Sequence, residues 1–287
     1  MFETHRQQQH SLYNSVRQVL VVKKDRIIEL EKYIMEKMED RLRSNIDSIK
    51  EQYNEASYLY PFWQNYPPEA RGRAPVGDQV PWIEVGEHAI GTKLRHILTS
   101  DFEVQDFGLP TGADQRLLLK NEQIPAILMY PKSAAWLFTD IKSVGPRDSH
   151  EHAVMSGNQV SGDGKWESMD SGVTNSVLKA EGKNTSHNFQ CAIPPFYIMS
   201  DQTIAPVINI VTMAVYKMDS SGGQPLAKIK LAAIPNGLFL GDYCKTHPGL
   251  LFPGKDDKSK SPEKLRARID FGRLKDIADW RLVEICL

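Results

Sequence analysis

The chain has 287 residues, of which 41% are apolar and 25% charged, ordinary usage for a globular protein with enough apolar material for a real core. Its 35 Lys and Arg against 36 Asp and Glu leave a net charge of −1, so no global basic excess announces nucleic acid. Cys191, Cys244 and Cys286 are far apart and odd in number, which argues against a disulfide scaffold or a thiolate zinc site, and no run approaches the roughly 18 apolar residues of a membrane span.

Met1-Phe-Glu-Thr-His-Arg6 has no apolar run behind a basic stretch, so no secretory signal is expected and the expected compartment is the cytoplasm. The Asn184-Thr185-Ser186 sequon then carries no message. Residues 16–56 read as helix, because Ile27, Leu30, Ile34, Met38, Leu42, Ile46, Ile49 and Tyr53 recur at spacings of three and four with balanced charges between them. This is one helix, or two joined near Ser44-Asn45, and its stripe either packs on the core alone or also meets a partner subunit. Five prolines with Gly72 and Gly77 make residues 61–81 an irregular connector. A helix over 81–98 carries Ile83, Ile90, Leu94 and Ile97 on one face. Strands are expected at 102–107, 116–119, 126–130 and 134–142, and long surface loops over the polar, glycine-rich stretch 145–190. Strands at 207–218 and 225–233 flank Asp219-Ser-Ser-Gly-Gly-Gln224 as a hairpin does. The class is α/β.

Alternate residues of a strand share a face, so in Trp136-Leu-Phe-Thr-Asp-Ile-Lys142 the side chains of Trp136, Phe138, Asp140 and Lys142 point one way. Asp140 and Lys142, about 7 Å apart along that face, are a carboxylate for a metal and an amine for a water, or else a surface ion pair where a strand emerges. Asp114 lies upstream in Gly108-Leu-Pro-Thr-Gly-Ala-Asp-Gln-Arg116, a turn that leads into a strand. Two carboxylates on neighbouring strands are a hard-oxygen site suited to Mg²⁺, while Asp114 alone also reads as a turn acid capping its own backbone. Glu87 falls on the apolar stripe of its helix, where a carboxylate needs a partner or a wet edge.

Competing constellations are poorer. His150-Glu-His152 offers two imidazoles without a specified third ligand, Ser161-Gly-Asp-Gly-Lys165 is followed by Trp166 and so is no phosphate-binding loop, and no G-x-S-x-G elbow exists. Between Lys255 and Lys275, eight Lys or Arg face four acids. Such clustering suits phosphate, with Arg able to read guanine and a carboxylate able to accept from the cytosine amino group, or it is a solvated surface with internal ion pairs.

Taken together, Pro81-Trp-Ile-Glu-Val-Gly-Glu87, the Gly108–Arg116 stretch, Asp140-Ile-Lys-Ser-Val-Gly-Pro-Arg-Asp-Ser149, Asn158-Gln-Val-Ser-Gly162 and Pro253-Gly-Lys-Asp-Asp257 resemble the BglI family of type II restriction endonucleases. Asn54-Glu-Ala56, Pro61-Phe-Trp63, Ile204-Ala-Pro-Val207 and Ile234-Pro-Asn-Gly-Leu238 match in kind and order, so the likeness spans about residues 54–270. The resemblance implies a PD-(D/E)xK core: a mixed β-sheet flanked by helices in a single domain, with a helical segment over 1–60, a catalytic core over 81–145, and strands with a DNA-recognition segment over 200–287. It implies a homodimer acting on double-stranded DNA with Mg²⁺ as cofactor. Asp114 and Asp140 match the metal-binding acids, with the Ile141 carbonyl assisting; Lys142 matches the catalytic lysine and Glu87 the helix acid near the site. Ala113 stands where Pro is usual, at a turn position without chemistry. Asp148, Lys255, Asp257, Arg266 and Arg268 match base-reading positions. The implied target is an interrupted palindrome with GCC half-sites, cut to leave 5′-phosphates and 3′ overhangs. The alternatives are a repair or junction-resolving nuclease on the same core, and a non-catalytic DNA-binding protein.

Overall fold

The N-terminal apolar stripe folds as α1 (Phe2–Val22), α2 (Lys24–Ser44) and α3 (Ile46–Gln64). The stripe is the inner face: Ile27, Leu30, Ile34, Met38, Leu42, Ile49 and Tyr53 are buried. The expected break near Asn45 is present, where the Asn45 N–H turns back to the Leu42 carbonyl at 3.2 Å. Helix begins at Phe2 and not near residue 16: α1 buries Tyr13, Val16 and Leu20, while the turns before Tyr13 are polar and show no apolar period. Tyr13 donates to the Gly164 carbonyl at 3.2 Å, and Arg17 donates to the Asp163 carbonyl at 2.9 Å. At the other end α3 runs past Pro61 to Gln64, beyond the expected start of the connector. The computed structural model describes residues 2–64, 82–109, 111–146, 148–220, 224–254 and 265–287, so the rest of the connector, the hairpin tip 221–223, Lys255 and Asp257 lie outside the described residues.

Next come α4 (Trp82–Leu98), β1 (Glu103–Asp106), β2 (Gln115–Lys120), α5 (Gln123–Leu128) and β3 (Ala135–Val144). The strand expected over 126–130 is instead helix. Asn121 Oδ1 accepts the N–H groups of Gln123 and Ile124 at 3.1 Å each, which starts α5, and Ile124 and Leu128, four apart, are its buried residues. The expected loops over 145–190 contain β4 (His152–Ser156), β5 (Val177–Glu181) and β6 (Ser186–Gln190). Each buries only one or two small or isolated apolar residues, which is too few to register as alternation. The chain then forms β7 (Phe196–Ile198), β8 (Ile204–Tyr216), β9 (Leu226–Ile234), α6 (Gly237–Thr246), β10 (Leu251–Phe252), β11 (Arg266–Asp270), α7 (Phe271–Ile277) and β12 (Leu282–Cys286).

The main sheet has seven strands in the order β1-β2-β3-β8-β9-β12, with β7 also pairing with β8. Only β3 and β8 run parallel, and the other pairs are antiparallel. The sheet is therefore mixed. One face carries Leu117, Leu137, Ile208, Ile210 and Leu231 against the buried residues of α2 and α4. The other face is shared by two clusters, Trp136 and Phe138 with Val207 at one end, and Val211, Met213 and Ile234 with the small sheet at the other. That small sheet has the order β10-β11-β4, and Ala153, Met155, Ala267 and Ile269 are its inward residues.

A buried ion pair ties the helices to the C-terminal part of the chain. Arg281 Nη2 donates to Glu31 Oε2 at 2.6 Å, with both side chains 1% exposed, and Glu31 Oε1 accepts the Asn236 N–H at 2.5 Å. Burial holds the Glu31 carboxyl above the usual carboxylate range despite the arginine. Among the described residues, no helix is long and apolar enough to cross a membrane.

Candidate active site

β2 ends where β3 continues, and the site lies at that step. The last pair of the β2–β3 ladder is Gln115 with Thr139, so among the described residues Asp140 to Val144 have no ladder partner on the β2 side. Asp114, the residue before β2, fills the gap with its side chain: its Oδ2 accepts the Ile141 N–H at 2.6 Å. Asp114 is thus a cap for backbone, as one reading of its turn anticipates, but the backbone is that of the neighbouring strand. In a strand the N–H and C=O of one residue point to the same side, so the Ile141 carbonyl faces the same open edge.

Asp140 and Lys142 are on the Trp136 and Phe138 face, as the alternation predicts. Asp140 is 2% exposed and Lys142 is 30% exposed. The lysine folds back instead of lying 7 Å away: its Nζ stands 2.7 Å from Asp140 Oδ2. That ion pair is the one contact of the buried Oδ2, which no neutral donor reaches among the described residues. Asp140 Oδ1 accepts from the Gln159 side-chain amide. Burial is the main cause that pushes the Asp140 carboxyl up to about 6; Lys142 and Gln159 pull it down, and the charge of Asp114 adds to the rise.

These features suit a hard divalent cation. Two carboxylates close enough to interact, one with a buried oxygen that no neutral donor reaches, converge with a backbone carbonyl at a strand edge, and such cations take oxygen ligands. Among the described residues no group of three or more His, Cys, Asp and Glu could hold a metal; the oxygen donors they offer here are two carboxylates and backbone. Glu87 lies on α4, which crosses the end of β3 so closely that a Cβ on Gly86 would collide with Ser143 Oγ. Its side chain lies outside the described residues.

The expected base-reading residues form a second group. Arg266 and Arg268 alternate with buried Ala267 and Ile269 along β11, so both stand on the outward face of the small sheet. Arg268 Nη1 is 3.1 Å from His152 Nε2, and His152 packs edge-on against Phe252. His152 is therefore part of this face, and among the described residues neither His150 nor His152 joins a group of three or more possible metal ligands. Asp148 is exposed, and its Oδ2 accepts the Gly145 N–H at 3.1 Å in the turn after β3.

Gln159 is the residue that sequence reasoning passed over. An uncharged amide has no chemistry to announce, but the Ser156-x-x-Gln159 pattern is a capping-box signature within the Asn158–Gly162 motif.

With this geometry in view, the comparison with known proteins is decisive. The family model for restriction endonuclease BglI matches residues 8–285. The chain belongs to the BglI family of restriction endonucleases. Type II restriction enzyme BglI from Bacillus subtilis is 42% identical over 285 residues, covering 94% of each chain. The crystal structure of BglI bound to its DNA recognition sequence superposes with a TM-score of 0.88 at 40% identity, over 100% of this chain and 99% of that one. The tetrameric restriction endonuclease SfiI bound to cognate DNA matches with a TM-score of 0.58 at 14% identity, over 92% of this chain and 85% of that one. That second likeness is one of fold. The expected restriction-endonuclease core, a mixed sheet flanked by helices, is present in this BglI-family chain, and the family makes it a type II restriction enzyme rather than a repair nuclease or a non-catalytic binder.

Proposed function

We propose that this enzyme hydrolyses double-stranded DNA at an interrupted palindrome, with Mg²⁺ as cofactor and as a homodimer in the cytoplasm. The observation that carries the reading is the meeting of Asp114, Asp140 and Lys142 at the step between β2 and β3. Asp114, Asp140 through Oδ2 and the Ile141 carbonyl would hold the cation. When bound, it supplies positive charge against the scissile phosphate and acidifies the attacking water.

The remaining work falls to side chains of this chain. Asp140 keeps Lys142 close to the cation site through their ion pair, and the ammonium holds the attacking water and favours loss of its proton. The water oxygen attacks phosphorus in line as the bond from phosphorus to the 3′ oxygen breaks. That oxygen takes up a proton, leaving a 3′-hydroxyl and a 5′-phosphate. Glu87 is proposed as a further acid near the site.

Recognition is assigned to Arg266 and Arg268 as guanine readers, and to Asp148, Lys255 and Asp257 as further base contacts, with GCC half-sites and 3′ overhangs carried over from the family resemblance. A twofold target asks for a twofold protein, each subunit cutting one strand. The test is digestion of a sequenced plasmid with Mg²⁺ and mapping of fragment ends, alongside sedimentation with a cognate duplex. Uniform ends at GCC half-sites and two subunits per duplex are expected. Cleavage that follows DNA junctions instead of sequence, or one subunit per duplex, would overturn the assignment.

A further inference from the structure

Gln159 sits where β4 ends, closing the short turn Gly157–Gln159. Its Oε1 accepts the Ser156 N–H at 2.7 Å, while its Nε2 donates to Asp140 Oδ1 and to the Gly112 carbonyl at 3.2 Å. Both amide N–H groups and one acceptor site of the oxygen are therefore used, and the orientation of the amide is forced. A backbone N–H can only donate, so the oxygen end must face Ser156 and the nitrogen end must face Asp140. Its own backbone carbonyl accepts from Asn209 Nδ2 at 3.2 Å, which anchors the turn to β8.

Asp140 Oδ1 is thereby occupied by a neutral donor, and Oδ2 is the oxygen left without one. A neutral partner leaves the carboxylate its whole charge. Without it, the carboxylate can rotate and present both oxygens to Lys142. The same amide also crosses between the two sheets, because Ser156 pairs with Arg266 in the small-sheet ladder.

The geometry points to Gln159 as a positioning residue that locks the Asp140 carboxylate with Oδ2 toward the divalent cation, and that ties it to the sheet carrying Arg266 and Arg268. This rests on the assignment of Asp140 as a metal ligand. It adds a residue that touches neither the cation nor the DNA.

The experiment is Mn²⁺ binding to the whole protein without DNA, by titration calorimetry, for Gln159→Met, Ser156→Ala and Asp140→Ala. Gln159→Met keeps the length of the side chain and removes the amide, and about 10-fold weaker Mn²⁺ binding or more is expected. Ser156→Ala disturbs the same turn and leaves the amide in place, so it should bind Mn²⁺ like the wild type. Wild-type binding by Gln159→Met, or equal losses in both turn variants, would overturn the proposal. If Gln159→Met does not fold, Gln159→Glu decides: it keeps the acceptor that caps the turn and loses the donor to Asp140. Its single-turnover cleavage rate should fall at least ~10-fold, and a wild-type rate refutes the role. Asp140→Ala separates the two ideas. If that variant binds Mn²⁺ and cuts normally, the metal assignment itself fails; if it does neither while the Gln159 variants behave as wild type, only the positioning role fails.

Discussion

The carboxylate of Asp114 accepts the Ile141 N–H at 2.6 Å, so one side chain completes a ladder that β2 leaves unfinished and stands beside Asp140 at the same time. The start of β2 and the approach of the two carboxylates are one event here. Asp114 can stand beside Asp140 because β2 begins at Gln115, opposite Thr139, one residue short of Asp140.

This dual use separates folding from chemistry at Asp114. Asp114→Asn keeps an oxygen for the Ile141 N–H and loses the charge. Its urea midpoint should stay close to wild type, while cleavage falls on the order of 10³-fold, since a metal ligand supports several kcal/mol of transition-state stabilisation. Single-turnover cleavage and urea titration on the same preparation check both halves. Cleavage within 10-fold of wild type would remove Asp114 from the metal site.

The raised Asp140 pKa has a definite sign for stability. The unfolded group titrates near 3.8 and the folded group near 6, so the folded protein holds its proton more tightly. Metal-free protein therefore loses stability as pH rises from about 4 through about 6, by at most about 3 kcal/mol, and stays at that lower level above. Asp140→Asn removes the titrating charge, so it should melt higher than wild type at pH 8 without metal and show no such advantage at pH 4. Added divalent cation should raise the melting temperature of the wild type alone. A variant less stable than wild type at pH 8 would contradict the assigned cause.

Arg281 and Glu31 are joined in the core, and the cost of separating them should be large. Removing one partner leaves a buried charge unmatched, so Glu31→Leu should lower unfolding stability by about 3–5 kcal/mol. Arg281→Met should cost a similar amount. The double variant should lose clearly less than the sum, because it leaves no lone charge. Chemical denaturation of all four proteins gives the coupling. Simple additivity would mean that the pair is not coupled.

The outward face of β11 is tested by binding. Arg266→Ala and Arg268→Ala should each cost about 1–3 kcal/mol on a GCC half-site duplex and almost nothing on a scrambled one, measured in Ca²⁺. Equal losses on both duplexes would make the arginines a backbone grip. His152→Ala should act in the same direction as Arg268→Ala and more weakly, because it removes a neighbour of the guanidinium and not the guanidinium itself.

Much of this was legible in one dimension. The stripe from Ile27 to Tyr53, the alternation around Asp140 and Lys142, and the β8–β9 hairpin are short-range periodicities, and period alone says which side chains share a face. The family motifs likewise carried the class of enzyme. Local pattern could not supply what depends on the path of the chain. β4 became a strand because β11, remote in sequence, pairs with it, and β5 and β6 became strands by pairing with each other, although the apolar content of all three is slight. Residues 126–128 became helix through the cap from Asn121. Gln159, remote in sequence from Asp140, has no charge or nucleophile to mark it, and Glu31 with Arg281 look like surface residues of unrelated segments. Faces are set by neighbours a few residues away, whereas hydrogen-bond partners and desolvation are set by whatever the fold brings alongside. For that reason the sequence by itself determined the enzyme class and which side chains share a face with Asp140. Only the tertiary structure decided which Asp140 oxygen faces Lys142, what holds the other, and which buried charge is paired.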